Sequence, residues 1–208
     1  KDKERSAYFN CTLVLYHIDG TYDYREGKTY GKIIDEERGD TSFGYDCIFY
    51  SKDLNKSFGE ASKDEKNKVS HRARAIDSLK EKEIEYGHPI YLISDEPYRE
   101  LVYGDIEVPV VSKYYDNTII CYSFSKSLSI PGERIGYVLV NTDCVFARDV
   151  YYSICGAGRS LGFVCAPALF QQMIPSCLGY TSDLETYKKN RDILYNALTS
   201  YGYTLAKP

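Results

Sequence analysis

The sequence predicts an α/β protein: an incomplete, mostly parallel sheet with flanking helices, preceded by a smaller α+β piece. Three observations carry this reading. From position 90 onward, strand-like and helix-like segments alternate, as they do around a parallel sheet that binds ligands at its strand C-terminal ends. The first fifty residues instead hold runs rich in Tyr, Val, Ile and Phe with no helix between them. A long helical pattern joins the two.

Runs 10–16, 22–34 and 45–50 read as strands, and Gly20 and Gly27 punctuate them as turns. From Asp64 to Tyr86 one helix is expected, because Val69, Ala73, Ile76, Leu79 and Ile84 recur at near-helical spacing. Gly87-His88-Pro89 ends it, since Gly caps and Pro cannot continue. Strands follow at 90–94, 118–123 and 135–140. Helices are expected at about 143–156, 163–176 and 182–201. Gly156-Ala157-Gly158 reads as a flexible loop. No Pro-rich or Gly/Ser-rich linker divides the chain, although its 208 residues suit one or two domains.

Net charge is −4 with both signs interspersed, which argues against a nucleic-acid or membrane-surface partner. No apolar run reaches transmembrane length, and no signal peptide is recognised at the start. Seven cysteines at 11, 47, 121, 144, 155, 165 and 177 show no CxxC spacing, and most sit in apolar runs. Reduced thiols and a cytoplasmic location are the expectation. His17, His71 and His88 are far apart and form no metal-ligand pattern, so no metal site is expected.

The segment SFSKSLSIPGERIGY, residues 123–137, follows the β-type run Thr118–Tyr122. It sets Lys126 between small hydroxyl residues, with Arg134 behind a Pro-Gly turn. Such a set suits a lysine that forms a Schiff base with a phosphate-bearing aldehyde. Asp95-Glu96-Pro97-Tyr98 closes an apolar run and adds a carboxylate and a phenol. Taken singly, a lysine beside serines is a surface residue and Asp before Pro is a turn signal. Taken in order, YLISDEPYRELVY, SFSKSLSIPGERIGYVLV and YKKNRDILYNALTSYGY resemble the core of the fold-type I, pyridoxal-phosphate-dependent aminotransferases of class I/II.

The resemblance covers about residues 82–208 and implies the large-domain core of that fold, amino-group transfer between an amino acid and a 2-oxo acid, and pyridoxal 5'-phosphate as cofactor. It assigns Lys126 to the Schiff base and to proton transfer. Asp95 would keep the pyridine nitrogen protonated, and Tyr98 would donate to the phenolate oxygen. Ser123, Ser125 and Arg134 would bind the phosphate, where a guanidinium fork gives two parallel charge-assisted bonds. The family's substrate-carboxylate arginine is expected beyond Pro208, so turnover is expected to be impaired. A homodimer is the implied assembly.

Residues 1–81 read differently. FNCTLVL (9–15), GKII (31–34) with Arg38-Gly39, FGYD (43–46), and EKNKVSHR (65–72) resemble the C-terminal half of the inosine triphosphate pyrophosphatase family. That resemblance implies a purine pocket at Phe43, Gly44, Tyr45 and Asp46, with Phe43 stacking on the base. It also implies base and phosphate contacts from Lys66, His71 and Arg72. As residue types alone, Phe43 and Tyr45 equally suit a core, and Lys66 and Arg72 a solvated helix face. Ser42, Cys47 and Ala73 stand where the family usually has glycine, proline and glycine. Mg²⁺-dependent hydrolysis of a purine nucleoside triphosphate is the second expectation; the family's phosphate loop, acidic metal ligands and catalytic Asp are not among these residues, which counts against it. A non-catalytic fusion or fragment is the third, with exposed apolar edges that favour association.

Overall fold

A computed structural model describes residues 5–39, 44–104, 108–203 and 205. The chain separates into two compact units, Lys1–Ile90 and Tyr91–Pro208.

In the first unit, β1 (Ser6–Tyr16) and β2 (Tyr22–Ile33) form an antiparallel hairpin that pairs Ser6 with Lys32 and Tyr16 with Tyr22. Gly20 turns it with φ +86°, a conformation that costs glycine little. Asp19 fixes the same turn by accepting from the Thr21 N–H and hydroxyl at 2.9 and 2.6 Å. β3 (Phe49–Ser51) and β4 (Lys56–Ser57) complete a sheet in the order β1-β2-β3-β4. Residues 45–48, expected as strand, form a turn instead.

Gly27 is not a turn. It lies inside β2 opposite Cys11, and a Cβ there would sit 2.0 Å from the His71 carbonyl oxygen and 2.3 Å from the Ala75 nitrogen. A glycine in a strand marks close backbone approach as readily as a bend.

The helical pattern at 64–86 is two helices, α1 (Lys63–Val69) and α2 (His71–Tyr86). Ser70 breaks it with φ −65° and ψ 151°, ending α1 and capping α2 by accepting from the Ala73 N–H at 3.2 Å. A serine side chain offers the backbone this alternative to continued helix. Ser62 and Glu65 form a capping box at the start of α1. Gly87, left-handed at φ 68°, ends α2 as expected. The core of this unit is Leu15, Cys47, Phe49, Phe58, Ala75 and Leu79.

The second unit is built on β5 (Leu92–Asp95), β6 (Thr118–Ser123) and β7 (Gly136–Val140), in that order in the sheet. β5 and β6 are parallel, whereas β6 and β7 are antiparallel. The link 124–135 carries only a one-turn helix, α3 (Phe124–Ser127), and a 3-10 turn at Pro131–Glu133. It doubles back rather than crossing over the sheet, and antiparallel pairing follows. Three helices flank the sheet: α4 (Ala147–Ser160), α5 (Ala168–Cys177) and α6 (Leu184–Ser200).

Gly156 to Gly158, expected as a loop, lie within α4, where the Ser160 hydroxyl donates back to the Gly156 carbonyl at 3.0 Å. Tyr122, Phe124 and Ile135 form the core, backed by Leu128, Ile130, Ala166, Phe170 and Ile174. β7 nevertheless leaves Tyr137, Val138 and Leu139 exposed, and no residue of α4 or α6 is fully buried. Among the described residues, no helix is long and apolar enough to cross a membrane.

Candidate functional site

Lys126 sits on α3. Ser123 starts that turn: its Oγ accepts from the Ser125 N–H at 3.2 Å and lies 2.8 Å from the Ser125 hydroxyl. Phe124 and Ser127 are the buried residues of the turn, and Lys126 is exposed. The Lys126 Nζ lies 5.5 Å from the centroid of the Tyr98 ring, within cation–π range.

Asp95 is the last residue of β5 and pairs in register with Cys121 on β6. Burial pushes the Cys121 thiol up, and the Asp95 charge adds to that. From Cys121, β6 runs two residues further to Ser123 and directly into α3. Asp95 and the Lys126 turn therefore share the C-terminal end of the parallel pair, where ligands bind in open α/β sheets.

Arg134 is left-handed, with φ 53°, and its guanidinium donates to the Pro131 carbonyl at 3.1 Å. Its segment runs along the start of α3, because the Phe124 N–H donates to the Ile135 carbonyl at 3.1 Å and Ser123 pairs with Gly136. Only glycine fits at 136, since a Cβ would lie 2.2 Å from the Tyr122 carbonyl oxygen.

Sequence reasoning missed a buried network beneath the turn. The Tyr122 hydroxyl lies 2.7 Å from Glu100 Oε2 and 2.8 Å from Ser127 Oγ. A carboxylate only accepts, so Tyr122 gives its one proton to Glu100 and accepts from Ser127. Burial is the main reason the Tyr122 phenol is pushed up to about 12. The Glu100 carboxylate adds to that rise, and the Ser127 bond opposes it. Glu100 stands 22 residues from Tyr122, beyond the reach of any local motif.

The donor set fits a phosphorylated pyridine aldehyde. An amine, a carboxylate, a phenol, two hydroxyls and a guanidinium match its aldehyde, ring nitrogen, phenolate and phosphate respectively.

The residues singled out in the first unit form a separate constellation. Asp46 is buried and ion-paired with Lys66 of α1, whose Nζ lies 5.5 Å from the Phe58 ring centroid. His71 opens α2 and stacks on Phe9 at 5.2 Å and 22°. Phe9 in turn packs against Phe49 at 4.5 Å and Phe58 at 6.0 Å. The buried Nδ1 of His71 has no hydrogen-bond partner. Burial, then the charges of Arg72 and Lys66, pull His71 down to about 4, so it is neutral at pH 7.

Arg72 is exposed, and its charge partly offsets the rise that burial imposes on the Cys11 thiol. Tyr45 is exposed and Gly44 has φ 53°. Phe43 lies outside the described residues. Among the described residues, no three His, Cys, Asp or Glu side chains are grouped to hold a metal ion.

Comparison with known proteins separates the same two segments. The aminotransferase class I and II family model matches residues 78–208, and the Ham1 family model matches residues 1–82. An aminotransferase of known structure from Eubacterium rectale is 55% identical with a TM-score of 0.62, covering 71% of this chain and 35% of that one. A dITP/XTP pyrophosphatase of Clostridium perfringens is 43% identical over 81 residues, 39% of this chain and 40% of its own. One from Chlamydia caviae is 43% identical over 76 residues, 36% of this chain and 37% of its own. The chain thus spans well under half the length of each of these relatives. Aminotransferases of class I and II use pyridoxal phosphate in general. The chain belongs to the aminotransferase class I and II family, joined in a chimera to an N-terminal segment that matches the Ham1 family model.

Proposed function

We propose that residues 82–208 hold pyridoxal 5'-phosphate and take part in amino-group transfer between an amino acid and a 2-oxo acid, and that residues 1–81 form a separate Ham1-derived domain. The observation that carries this is the exposed Lys126 amine over the Tyr98 ring, at the same strand end as Asp95.

When bound, the cofactor supplies an electron sink for charge developing at the substrate α-carbon. The protein does the rest. Lys126 would hold the aldehyde carbon and, once the amine of the substrate has displaced it, its freed amine would move the α-proton. Asp95 holds a proton on the ring nitrogen. Tyr98 donates to the phenolate oxygen. Ser123, Ser125 and Arg134 would hold the phosphate; in the structure Arg134 Nη1 donates to the Pro131 carbonyl. Exposed apolar residues on β7 support a second copy of the chain as partner. Seven free cysteines fit a reducing compartment, the cytoplasm.

Titration with pyridoxal phosphate tests this. Saturable growth of the visible band of a lysine-bound aldehyde is expected, and Lys126→Ala should abolish it. A band unchanged in Lys126→Ala would sink the proposal.

A second reading has its own support. His71, with its buried unpartnered nitrogen among Phe9, Lys66 and Arg72, suits a purine nucleoside triphosphate. Mg²⁺-dependent release of pyrophosphate from inosine triphosphate, lost in Arg72→Ala, is the corresponding result. No release above a protein-free blank would remove it.

A further inference from the structure

We infer that Ser182, on the loop before α6, is a positioning residue for Lys126. This rests on the cofactor reading above.

The Lys126 turn is too short to hold itself. α3 has four residues, and the C-terminal carbonyls of a helix have no partner within it. The Lys126 carbonyl takes local bonds from the Leu128 and Ser129 N–H groups, and Ser182, 55 residues away, adds a hold on it and on the Ser127 carbonyl. Its N–H donates to the Ser127 carbonyl at 2.5 Å. Its hydroxyl lies 2.6 Å from the Lys126 carbonyl oxygen and 3.0 Å from that of Ser127. One hydroxyl proton is shared between these two carbonyls, which leaves the Ser182 oxygen to accept from the Ser129 hydroxyl at 2.7 Å. Ser129 is itself held in a left-handed conformation at φ 57°, a region that non-glycine residues seldom occupy.

The other end of the turn is fixed by Ser123, and its buried side by Tyr122 and Ser127. Ser182 thus completes a three-point hold on the backbone that aims the Lys126 side chain at Tyr98. It also ties that backbone to α6. The next residue, Asp183, caps α6 by accepting from the Thr186 N–H at 3.1 Å. The lysine turn and the N-terminus of the longest helix in the unit therefore move together. Ser129 lies within the segment 123–137 and Ser182 far outside it, so their pairing is legible only in three dimensions.

Two readouts test this on the full-length chain. In the first, pyridoxal phosphate is fixed with borohydride, and the share of adduct on Lys126 is compared with that on Lys188 and Lys189. Ser182→Ala should lower the Lys126 share about tenfold, because small misplacements of a reacting group carry losses of that order or more. Ser182→Thr, which restores the hydroxyl, should recover most of it. The second is amide hydrogen exchange over residues 126–129 without cofactor, where Ser182→Ala should exchange about tenfold faster, in line with loss of roughly one net hydrogen bond.

A Ser182→Ala chain that keeps the wild-type adduct share overturns the inference. If wild type itself shows no preference for Lys126, the cofactor reading fails, and hydrogen exchange alone decides on Ser182: faster exchange supports the hold, and unchanged exchange overturns it.

Discussion

Substituting Gly27 by alanine tests the packing that joins the N-terminal sheet to the helix at the family junction. The added Cβ would sit 2.0 Å from the His71 carbonyl oxygen and 2.3 Å from the Ala75 nitrogen. Both are helix backbone, with no side chain that can rotate away. Ordinary contact begins near 3.4 Å, so α2 must withdraw from β2 by roughly 1 Å or more; overpacking of this kind costs about 1–3 kcal/mol.

Withdrawal also stretches two bonds to β2, one from Arg74 of α2 to the Lys28 carbonyl and one from Thr29 Oγ1 to the carbonyl of Val69, which ends α1 just before α2, each at 2.6 Å. Each contributes about 1 kcal/mol net. The total, about 3–5 kcal/mol, is a large part of the stability of a unit this size. At about 4–8 °C per kcal/mol, the melting temperature of the first unit should fall by 12 °C or more. Thermal unfolding followed by far-ultraviolet circular dichroism reads this directly. Gly20→Ala is the control: a Cβ there meets only the Tyr16 hydroxyl at 3.8 Å, which leaves only the strain of φ +86°, about 1 kcal/mol. If Gly27→Ala melted within about 4 °C of wild type, the close approach of α2 to β2 would be refuted.

Three further outcomes follow from the same contacts. His71 has a folded pKa of about 4 against the usual 6.5, so the unfolded chain binds more protons between these values and stability is lost as pH falls through that window. Allowing for its partial exposure, the loss is about 1 kcal/mol; His71→Phe, which keeps the stack on Phe9, should flatten the urea midpoint between pH 6.5 and 4, and an unchanged slope would contradict this. Ser62→Ala removes the capping box of α1 and should cost about 1 kcal/mol in urea denaturation, with hydrogen exchange rising first at residues 63–66; no change at those amides would count against the cap. Gly136→Ala places a Cβ 2.2 Å from the Tyr122 carbonyl oxygen and should part β7 from β6, lowering pyridoxal phosphate affinity more than tenfold; wild-type affinity would show that the Arg134 segment does not need this pairing.

Much of this was legible in the sequence, for physical reasons that differ by element. The alternation after position 90 placed β6 at its observed bounds because Thr118 to Ser123 form one apolar run between polar turns. The Lys126 motif was legible because Ser123, Ser125, Lys126 and Arg134 are close along the chain. Gly27 was misread because glycine signals both a bend and a near contact, and only the partner helix distinguishes them. The break at Ser70 was hidden because apolar spacing continues across it, and its cap is a single bond from the Ala73 N–H with no acidic residue three positions on to signal it. The direction of β7 was lost because a short link of helical turns resembles a crossover until its path is seen. Glu100 and Ser182 were invisible because each acts across more than twenty residues.

The central claim is that Lys126 is the lysine that carries the cofactor. The direct measurement is borohydride fixation of pyridoxal phosphate at one equivalent, followed by peptide mass mapping. The account predicts one dominant adduct, on the peptide containing Lys126, lost in Lys126→Ala and weakened in Asp95→Ala. Adducts spread over surface lysines, with no excess at Lys126, would contradict it.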